Sequence, residues 1–203
     1  PSIVARALVA EANIRRGRGG SAAVVERLGA LALRSQAPDV LLATALQRGI
    51  QALDQGDLPR ARSVCQEAER LVADHGLIDG PCEVAFLQGA IQLGSGDPVA
   101  AREAFDRAAT CADPGLRVRS LNARGAASAQ RGSMDAADRD HREALALARQ
   151  AGLRPLALRL LNNLGANAHR RGDTDEALRR FREAVEVSGE VLDATLGRTA
   201  LAN

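Results

Sequence analysis

Small apolar residues recur along the chain in a fixed phase, with charged and polar residues between them. The phase is marked by pairs of glycines seven residues apart, and successive pairs follow one another after 40, 36 and 40 residues. Alanines follow the second glycine of each pair after five and after twelve residues. The four sets are Gly49, Gly56, Ala61 and Ala68; Gly89, Gly96, Ala101 and Ala108; Gly125, Gly132, Ala137 and Ala144; Gly165, Gly172, Ala177 and Ala184. This pattern predicts a repeated structural unit.

Each repeat predicts two helices joined by a tight turn. The first glycine falls inside a helix, where glycine costs about 1 kcal/mol relative to alanine, so its recurrence indicates that the second helix lies against it. The second glycine suits the left-handed conformation that ends many helices, and the residue after it can cap the next helix. These capping residues are Asp57, Asp97, Ser133 and Asp173. We predict helices at 39–54, 58–74, 80–94, 98–111, 116–130, 134–150, 154–170 and 174–188.

The helix pairs divide the chain into units. Four units are predicted at about 39–74, 80–111, 116–150 and 154–188. A degenerate copy is expected at about 2–35, with Gly17 as its turn glycine, and a further unit is expected to begin at 192–203, because Asn203 lies 40 residues after Asn163. We therefore expect residues 1–203 to form a single solenoid that belongs to a longer array.

The recurring glycine, glycine-aspartate, alanine, aromatic and alanine positions resemble the tetratricopeptide repeat. The best copy is LNNLGANAHRRGDTDEALRRFREAVEV. The resemblance implies an all-α fold, an α-α superhelix built as a solenoid of antiparallel helical hairpins, and binding of a protein or peptide. The long, Ala- and Arg-rich units also resemble the helical arrays of bacterial multidomain transcription regulators.

The chain departs from the family pattern in two ways. Its period exceeds the usual repeat of about 34 residues, which implies longer helices or linkers. The large residues that the family has in the first helix are replaced in this chain. These replacements are Ala45, Ala85, Leu121 and Leu161 at the first aromatic position, and Ala52, Gln92, Ser128 and Ala168 at the second.

Charge and composition exclude several classes of function. The 27 basic residues, all of them arginine, are interleaved with 25 acidic ones for a net charge of +2. A nucleic-acid-binding surface would concentrate positive charge on one face, so we expect no direct nucleic-acid partner. No apolar run approaches the roughly 18 to 20 residues that a membrane-spanning helix needs. Three cysteines without a C-x-x-C motif, Cys65, Cys82 and Cys111, indicate reduced thiols in a cytoplasmic protein.

Six polar residues are candidate ligand-binding residues because they fall on the groove-facing side of the first helices of the third and fourth units. They are Arg119, Asn122, Arg159, Asn162, Asn163 and Arg170. Such a ladder of guanidinium and amide donors suits a carboxylate, a phosphate or an extended peptide backbone, and the family resemblance points to a peptide C-terminus. The alternative is that Asn162 and Asn163 bridge adjacent helices and the arginines are solvated. Four apolar residues occupy comparable positions in the first two units and form either an apolar stretch of the groove or part of the core. They are Leu46, Leu53, Phe86 and Leu87.

No catalytic or metal-binding constellation is predicted. The three histidines, His75, His141 and His169, lie in different repeats, whereas a metal site needs three or four convergent ligands. His141 takes the position that phenylalanine holds in two other repeats, which predicts a packed or half-buried side chain. The acid pairs on the second helices are expected to be solvated surface; they are Asp138 and Asp140, and Glu183 and Glu186.

The leading hypothesis is a non-enzymatic protein- or peptide-binding scaffold without a cofactor. It would be the sensor or interaction region of a larger bacterial regulatory protein, and its partner would offer an acidic or C-terminal carboxylate group. Two alternatives remain open. One is a self-association module that forms homo-oligomers through exposed hairpin ends. The other is the regulatory arm of an enzyme whose catalytic domain lies outside this segment.

Overall fold

The computed structural model describes residues 4, 7–9, 11 and 21–201, with side chains left undescribed at Ser21 and 190–201. Gly17 and Asn203, used in the sequence analysis, lie outside the described residues. Every regular element in the described part is helical. Besides helical residues before Ser21, the described residues form nine helices: α1 Ser21–Ser35, α2 Pro38–Asp54, α3 Leu58–His75, α4 Gly80–Gly94, α5 Pro98–Ala108, α6 Pro114–Gln130, α7 Met134–Gln150, α8 Arg154–Arg170 and α9 Thr174–Leu201.

Helices α2 to α8 begin and end within three residues of their predicted positions. The turn glycines explain this accuracy, because all four adopt the left-handed conformation with φ between 76° and 81°. The predicted aspartate caps are also present: Asp57 accepts a hydrogen bond from the backbone N of Arg60 at 3.0 Å. The cap predicted at Ser133 is wrong, since its side chain makes no capping hydrogen bond.

The last helix is longer than the sequence analysis placed it. That analysis ended the helix near 188 and began another at 192, whereas α9 continues without a break from Thr174 to Leu201. The physical reason is that the segment has no Gly-Asp turn and no proline. Gly189 alone costs a helix about 1 kcal/mol, and helix-compatible residues follow it.

The chain divides into two compact units, Pro1–Ala108 and Ala109–Asn203. In the first unit, α2 pairs with α3 and α4 pairs with α5, and α1 packs on α2. A buried cluster joins α2, α3 and α4, with Leu87 fully enclosed and Leu46, Leu53 and Phe86 packed at its edge. The sequence analysis left open whether these four residues line a groove or belong to the core, and their packing indicates that they belong to the core.

In the second unit, α6 pairs with α7 and α8 pairs with α9. The second helix of the first pair packs on the first helix of the next, and α6 also touches α8. The core lies between these helices and consists of aliphatic residues and alanines, among them Val118, Leu121, Leu145, Leu160 and Leu161. With no Tyr or Trp available, the helices close on one another through small side chains.

The first glycines of the pairs permit close contacts, as predicted. A Cβ atom built on Gly89 would lie 2.6 Å from the Phe105 ring, and one on Gly165 would lie 2.6 Å from the Phe181 ring. At Gly49 the neighbour is Leu87 of α4, also at 2.6 Å, rather than a residue of the paired helix. The glycines therefore accommodate a bulky side chain that packs onto the helix.

A candidate peptide groove in the second unit

A groove of about 450 Å³ lies in the second unit between α6, the first half of α7 and α8. The apolar part of its lining consists mostly of small side chains. They are Ala126, Ala129 and Ala166, together with Met134. Its polar lining consists of Gln130, His141, Asn163, Asn167 and Arg170. Small walls and several polar groups leave room for a polar ligand to approach the helix backbones.

The structure brings two of the six candidate residues to the groove and places the other four outside its lining. Asn163 and Arg170 line the groove. Asn122 is half-buried beside it and bonds to Asn163, whereas Arg159 and Asn162 are exposed on α8 outside the lining. The sixth residue, Arg119, is half-buried on α6, where its Nε donates to the Gly115 carbonyl at 3.3 Å.

An amide pair connects α6 and α8. The Nδ2 of Asn163 donates to the Oδ1 of Asn122 at 2.7 Å. The interpretation that asparagines bridge adjacent helices therefore applies to Asn163, while Asn162 points to solvent. This bond holds one asparagine side chain in a fixed orientation at the groove and leaves the remaining N–H and C=O capacity of the two amides for a ligand.

A buried polar network beneath the groove joins α7 to α8. The Asp138 carboxylate accepts from Asn167 Nδ2 at 2.9 Å and from Arg171 Nη1 at 2.7 Å. On its own helix it also pairs with Arg142 at 3.3 Å. Because Asp138 is buried, these three partners replace the water that the charged carboxylate would otherwise bind.

A second buried carboxylate joins α7 to α6. Asp140 Oδ1 accepts from Arg124 Nη2 at 2.6 Å, and Glu143 Oε2 lies 3.5 Å from the same nitrogen. The arginine side chain is largely buried, so this short, charge-assisted contact is shielded from solvent.

The expectation that Asp138 and Asp140 are solvated surface is wrong, since both are buried. The reason is that α8 covers one side of α7 and α6 covers the other. Of the other acid pair, Glu186 is exposed as expected, but Glu183 is half-buried and pairs with Arg149 of α7.

His141 forms part of the groove lining and is only 2% exposed, which confirms the predicted packed side chain. Its Nδ1 lies 3.3 Å from Asn167 Nδ2. Because that amide nitrogen is a donor, Nδ1 accepts and the proton resides on Nε2, on the ring edge that lies against Gly125. Burial lowers the pKa of His141, against the opposing effects of the Asn122 backbone carbonyl and the Asp138 and Asp140 carboxylates. The imidazole is therefore neutral at neutral pH.

The groove combines neutral hydrogen-bonding groups with a cation at its edge. Arg170 is exposed, as is Arg159 on the same helix, and neither forms an ion pair with any residue that the structure describes. The lining contains one histidine and neither thiol nor carboxylate among its described residues, which falls short of a metal ion's usual three or four ligands. The amides of Asn163 and the exposed Gln130 can bond a peptide backbone, and together with the Arg170 guanidinium they fit a peptide that carries negative charge.

The three cysteines, Cys65, Cys82 and Cys111, are free thiols. Burial raises the pKa of Cys65 to about 11, with a smaller contribution from the Glu69 charge. This thiol therefore remains protonated and packs as a small apolar side chain in the first unit.

Sequence comparison finds a family resemblance in the groove-bearing segment. Residues 116–190 match the family model described as "Tetratricopeptide repeat". This segment is similar to the tetratricopeptide repeat family. The match includes α6, α7 and α8 almost entirely, so the groove lies within the matched segment. No curated protein sequence matches the chain at a significant level.

Solved structures extend the likeness of fold to nearly the whole chain. A crystal structure of MamA aligns with a TM-score of 0.56 at 16% identity, covering 90% of this chain and 96% of that one. BtubC (BKLC) from P. vanneervenii aligns with a TM-score of 0.57 at 20% identity, covering 91% and 79%. Another MamA structure gives 0.55 at 17% identity, covering 93% and 94%. At such identities the likeness concerns the fold, and the predicted all-α, tetratricopeptide-like solenoid of antiparallel hairpins is confirmed.

None of the helices in the described part of the chain has both the length and the apolar character needed to cross a membrane.

Proposed function

We propose that this protein is a binding scaffold and that the groove between α6 and α8 holds an extended protein segment or peptide. The observation that carries the proposal is the composition of the groove, in which the Asn163 and Gln130 amides lie beside Arg170, an exposed arginine that forms no ion pair with the described residues. A peptide backbone offers donors and acceptors in alternation, and amide side chains can satisfy both.

The ligand is expected to present a carboxylate, either on an acidic side chain or at its C-terminus. Arg170 lies at the groove, and Arg159 and Arg119 occupy equivalent positions 40 residues apart on the two flanking helices. A guanidinium group can bind a carboxylate with two parallel hydrogen bonds, which fixes its orientation as well as its charge.

The wider role is proposed from the family resemblance and from the distribution of charge. The scaffold acts by binding and not by catalysis, as the sensor or interaction region of a larger bacterial regulatory protein in the cytoplasm. The resemblance of its long Ala- and Arg-rich repeats to the arrays of bacterial regulators supports this context. Interleaved charge with a net value of only +2 supports a protein partner over nucleic acid or an anionic membrane.

The test begins with peptides selected by this chain from a random library displayed with free carboxyl termini. Binding is then measured by fluorescence anisotropy for the wild type and for Arg170→Ala. We expect the substitution to weaken binding at least about tenfold, since a hydrogen bond to a charged group contributes about 1.5–3 kcal/mol. Arg119→Ala with Arg159→Ala should weaken it further and leave the helical content unchanged.

Arg139→Ala provides the matched control, because Arg139 is an exposed arginine of α7 outside the groove lining. Amidating the peptide C-terminus separates the two sources of carboxylate: a loss of binding assigns the contact to the terminus, and retained binding assigns it to acidic side chains. Equal affinities of the Arg170 and Arg139 variants would contradict the groove assignment.

A further inference from the structure

Three buried side chains form a hydrogen-bonded triad that joins α7 to α8 beneath the groove. Asn167 Nδ2 lies 3.3 Å from His141 Nδ1 and donates to Asp138 Oδ1 at 2.9 Å. The three side chains, His141, Asn167 and Asp138, are only 2%, 2% and 3% exposed. Two of them, His141 and Asn167, also belong to the groove lining. A single amide nitrogen therefore connects the two helices directly under the candidate ligand site.

The orientation of the Asn167 amide follows from the chemistry of Asp138. An ionised carboxylate only accepts hydrogen bonds, so the amide must turn its nitrogen toward Asp138. The second proton of that nitrogen is then available to Nδ1 of His141, which accepts it when the imidazole is neutral. An imidazolium carries a proton on Nδ1 as well, so two donors would face each other across this contact. The triad therefore accommodates only a neutral His141.

The triad has no local adjustment that would accept an imidazolium. Turning the Asn167 amide over would give Nδ1–H an acceptor, but it would place the amide oxygen against the Asp138 carboxylate. The ring is held from behind, because its Cδ2 and Nε2 atoms lie 2.6 Å from a Cβ built on Gly125 of α6. A protonated ring must therefore displace Asn167 and the part of α8 that carries it. Asn163 and Arg170, four residues before and three after Asn167, lie on that part of α8 and line the groove.

We propose that protonation of His141 releases the ligand from the groove, so that the protein binds at neutral pH and dissociates from its ligand under mildly acidic conditions. This inference rests on the proposed function and adds the regulation of the same site. By linkage, a ligand that binds better when the ring is neutral disfavours protonation of the ring to the same extent. An occupied groove has this effect because it covers the lining to which His141 belongs, and an imidazolium would lose the water it needs.

The charged groups that face His141 largely compensate one another. Helix α7 packs on α6 and α8. On α7 itself, the carboxylates of Asp138 and Asp140 favour an imidazolium, whereas burial opposes it. The guanidinium groups that pair with these two carboxylates reduce their effect; they belong to Arg124 of α6, Arg142 of α7 and Arg171 after α8. Glu143 lies 3.5 Å from Arg124 as well. A ligand carboxylate bound to Arg170 arrives beside a guanidinium group and adds little net charge near the ring.

The experiment measures the affinity of one histidine-free peptide by fluorescence anisotropy at about pH 7.5 and about pH 5. The peptide is the tightest binder that this chain selects at the higher pH from the library with free carboxyl termini. We expect the affinity of the wild type to fall at least about threefold at the lower pH. The carboxylates of the peptide, with ordinary pKa values of about 3.5 to 4.3, stay mostly ionised over this range. Circular dichroism at both pH values confirms that the helices remain.

Two histidine variants assign the effect to a residue. His141→Phe should have nearly equal affinities at the two pH values, whatever its affinity at the higher one, and its fold should persist because phenylalanine packs on Gly89 and Gly165 at the equivalent positions. His169→Gln is the matched control, since His169 is exposed on α8 outside the groove lining, and this variant should keep the wild-type fall. A fall that persists in His141→Phe, or that disappears in His169→Gln, overturns the proposal.

An NMR titration of the protein without peptide tests the rearrangement independently. The side-chain amide signals of Asn167 and the methyl signals of Ala126 and Ala166 in the groove lining should change with the same midpoint as the His141 imidazole. Groove signals that do not respond to protonation of the ring overturn the proposal. If the wild type binds a peptide equally well at both pH values, only the pH-dependent release is contradicted. If no peptide binds at about pH 7.5, the proposed function is contradicted, and the release of a ligand with it.

Discussion

At the scale of single residues, Gly125 is one of the positions in the second unit where two helices pack closely. A Cβ atom there would lie 2.6 Å from both Cδ2 and Nε2 of His141 and 3.1 Å from the backbone oxygen of Ala137. His141 is buried and bonded to Asn167, and a backbone oxygen cannot move alone, so neither neighbour can give way. Gly29 of α1 differs completely, because a Cβ there would meet nothing within 4 Å.

Replacing Gly125 by leucine should therefore lower the free energy of unfolding by about 1–3 kcal/mol through overpacking. Gly165→Leu should cost less, because Phe181, the side chain that it would meet, is already partly exposed and can turn toward solvent. Chemical denaturation followed by circular dichroism measures both effects.

Gly29→Leu is the control for this series. It should leave stability unchanged or raise it by up to about 1 kcal/mol, because leucine is the better helix former and the site is open. If Gly125→Leu and Gly29→Leu had the same effect on unfolding, the close contact of α6 with His141 would be refuted.

At the scale of helices, the hairpins form from local signals, but α7 and α8 are held together by polar contacts as well as by core packing. Asp138 is the centre of these contacts, since its carboxylate bonds Asn167 of α8 and Arg171, the residue that follows α8. Asn167 is itself buried and also lies against His141. The satisfaction of each buried group therefore depends on the others.

Asp138→Ala should destabilise the protein by about 1–3 kcal/mol, because the substitution leaves a buried amide proton of Asn167 without its acceptor. The loss is limited because Arg171 and Arg142 are partly exposed and regain water. Urea denaturation midpoints measure the change.

Asp135→Ala supplies the comparison within the same helix. Asp135 is exposed in the first turn of α7, where its interaction with the helix dipole contributes about 0.3–1 kcal/mol. A loss at Asp138 no larger than the loss at Asp135 would mean that the buried network does not contribute to the α7–α8 contact.

At the scale of the whole molecule, stability depends on pH through groups whose protonation differs between the folded and unfolded chain. His141 is such a group, because burial lowers its pKa below the ordinary value of 6.5. Between the two pKa values the unfolded chain binds more protons, so folding is favoured as pH rises. This contribution is fully present above about pH 6.5 and is lost as pH falls toward the lower pKa of the folded state.

His141→Phe should reduce this pH dependence and keep the fold, since phenylalanine occupies the equivalent position in α5 and α9 against Gly89 and Gly165. We expect the wild type to lose more stability than the variant between about pH 7.5 and about pH 5.5. Urea unfolding at the two pH values measures the difference, and parallel losses in the two proteins would contradict a neutral, buried His141.

The sequence by itself determined the helices and their pairing. The signals that start and end these helices are capping aspartates, left-handed glycines and runs of helix-compatible residues. They act within a few residues of one another, so their effect can be predicted from the sequence alone. The predicted end of α9 near 188 was wrong, because no local stop signal interrupts the helix there. The phase of the glycines also identified where bulky side chains approach, although not that Gly49 meets Leu87 of another hairpin.

Only the tertiary structure decided which polar residues are buried and which are available to a ligand. Asp138 and Asp140 were expected at the surface because the residues around them in α7 are polar, but α8 and α6 enclose both side chains. Asn163 lines the groove while Asn162, next to it, faces solvent. Burial and hydrogen bonding depend on side chains from helices distant in sequence, and a rotation of about 100° per residue separates adjacent positions on a helix.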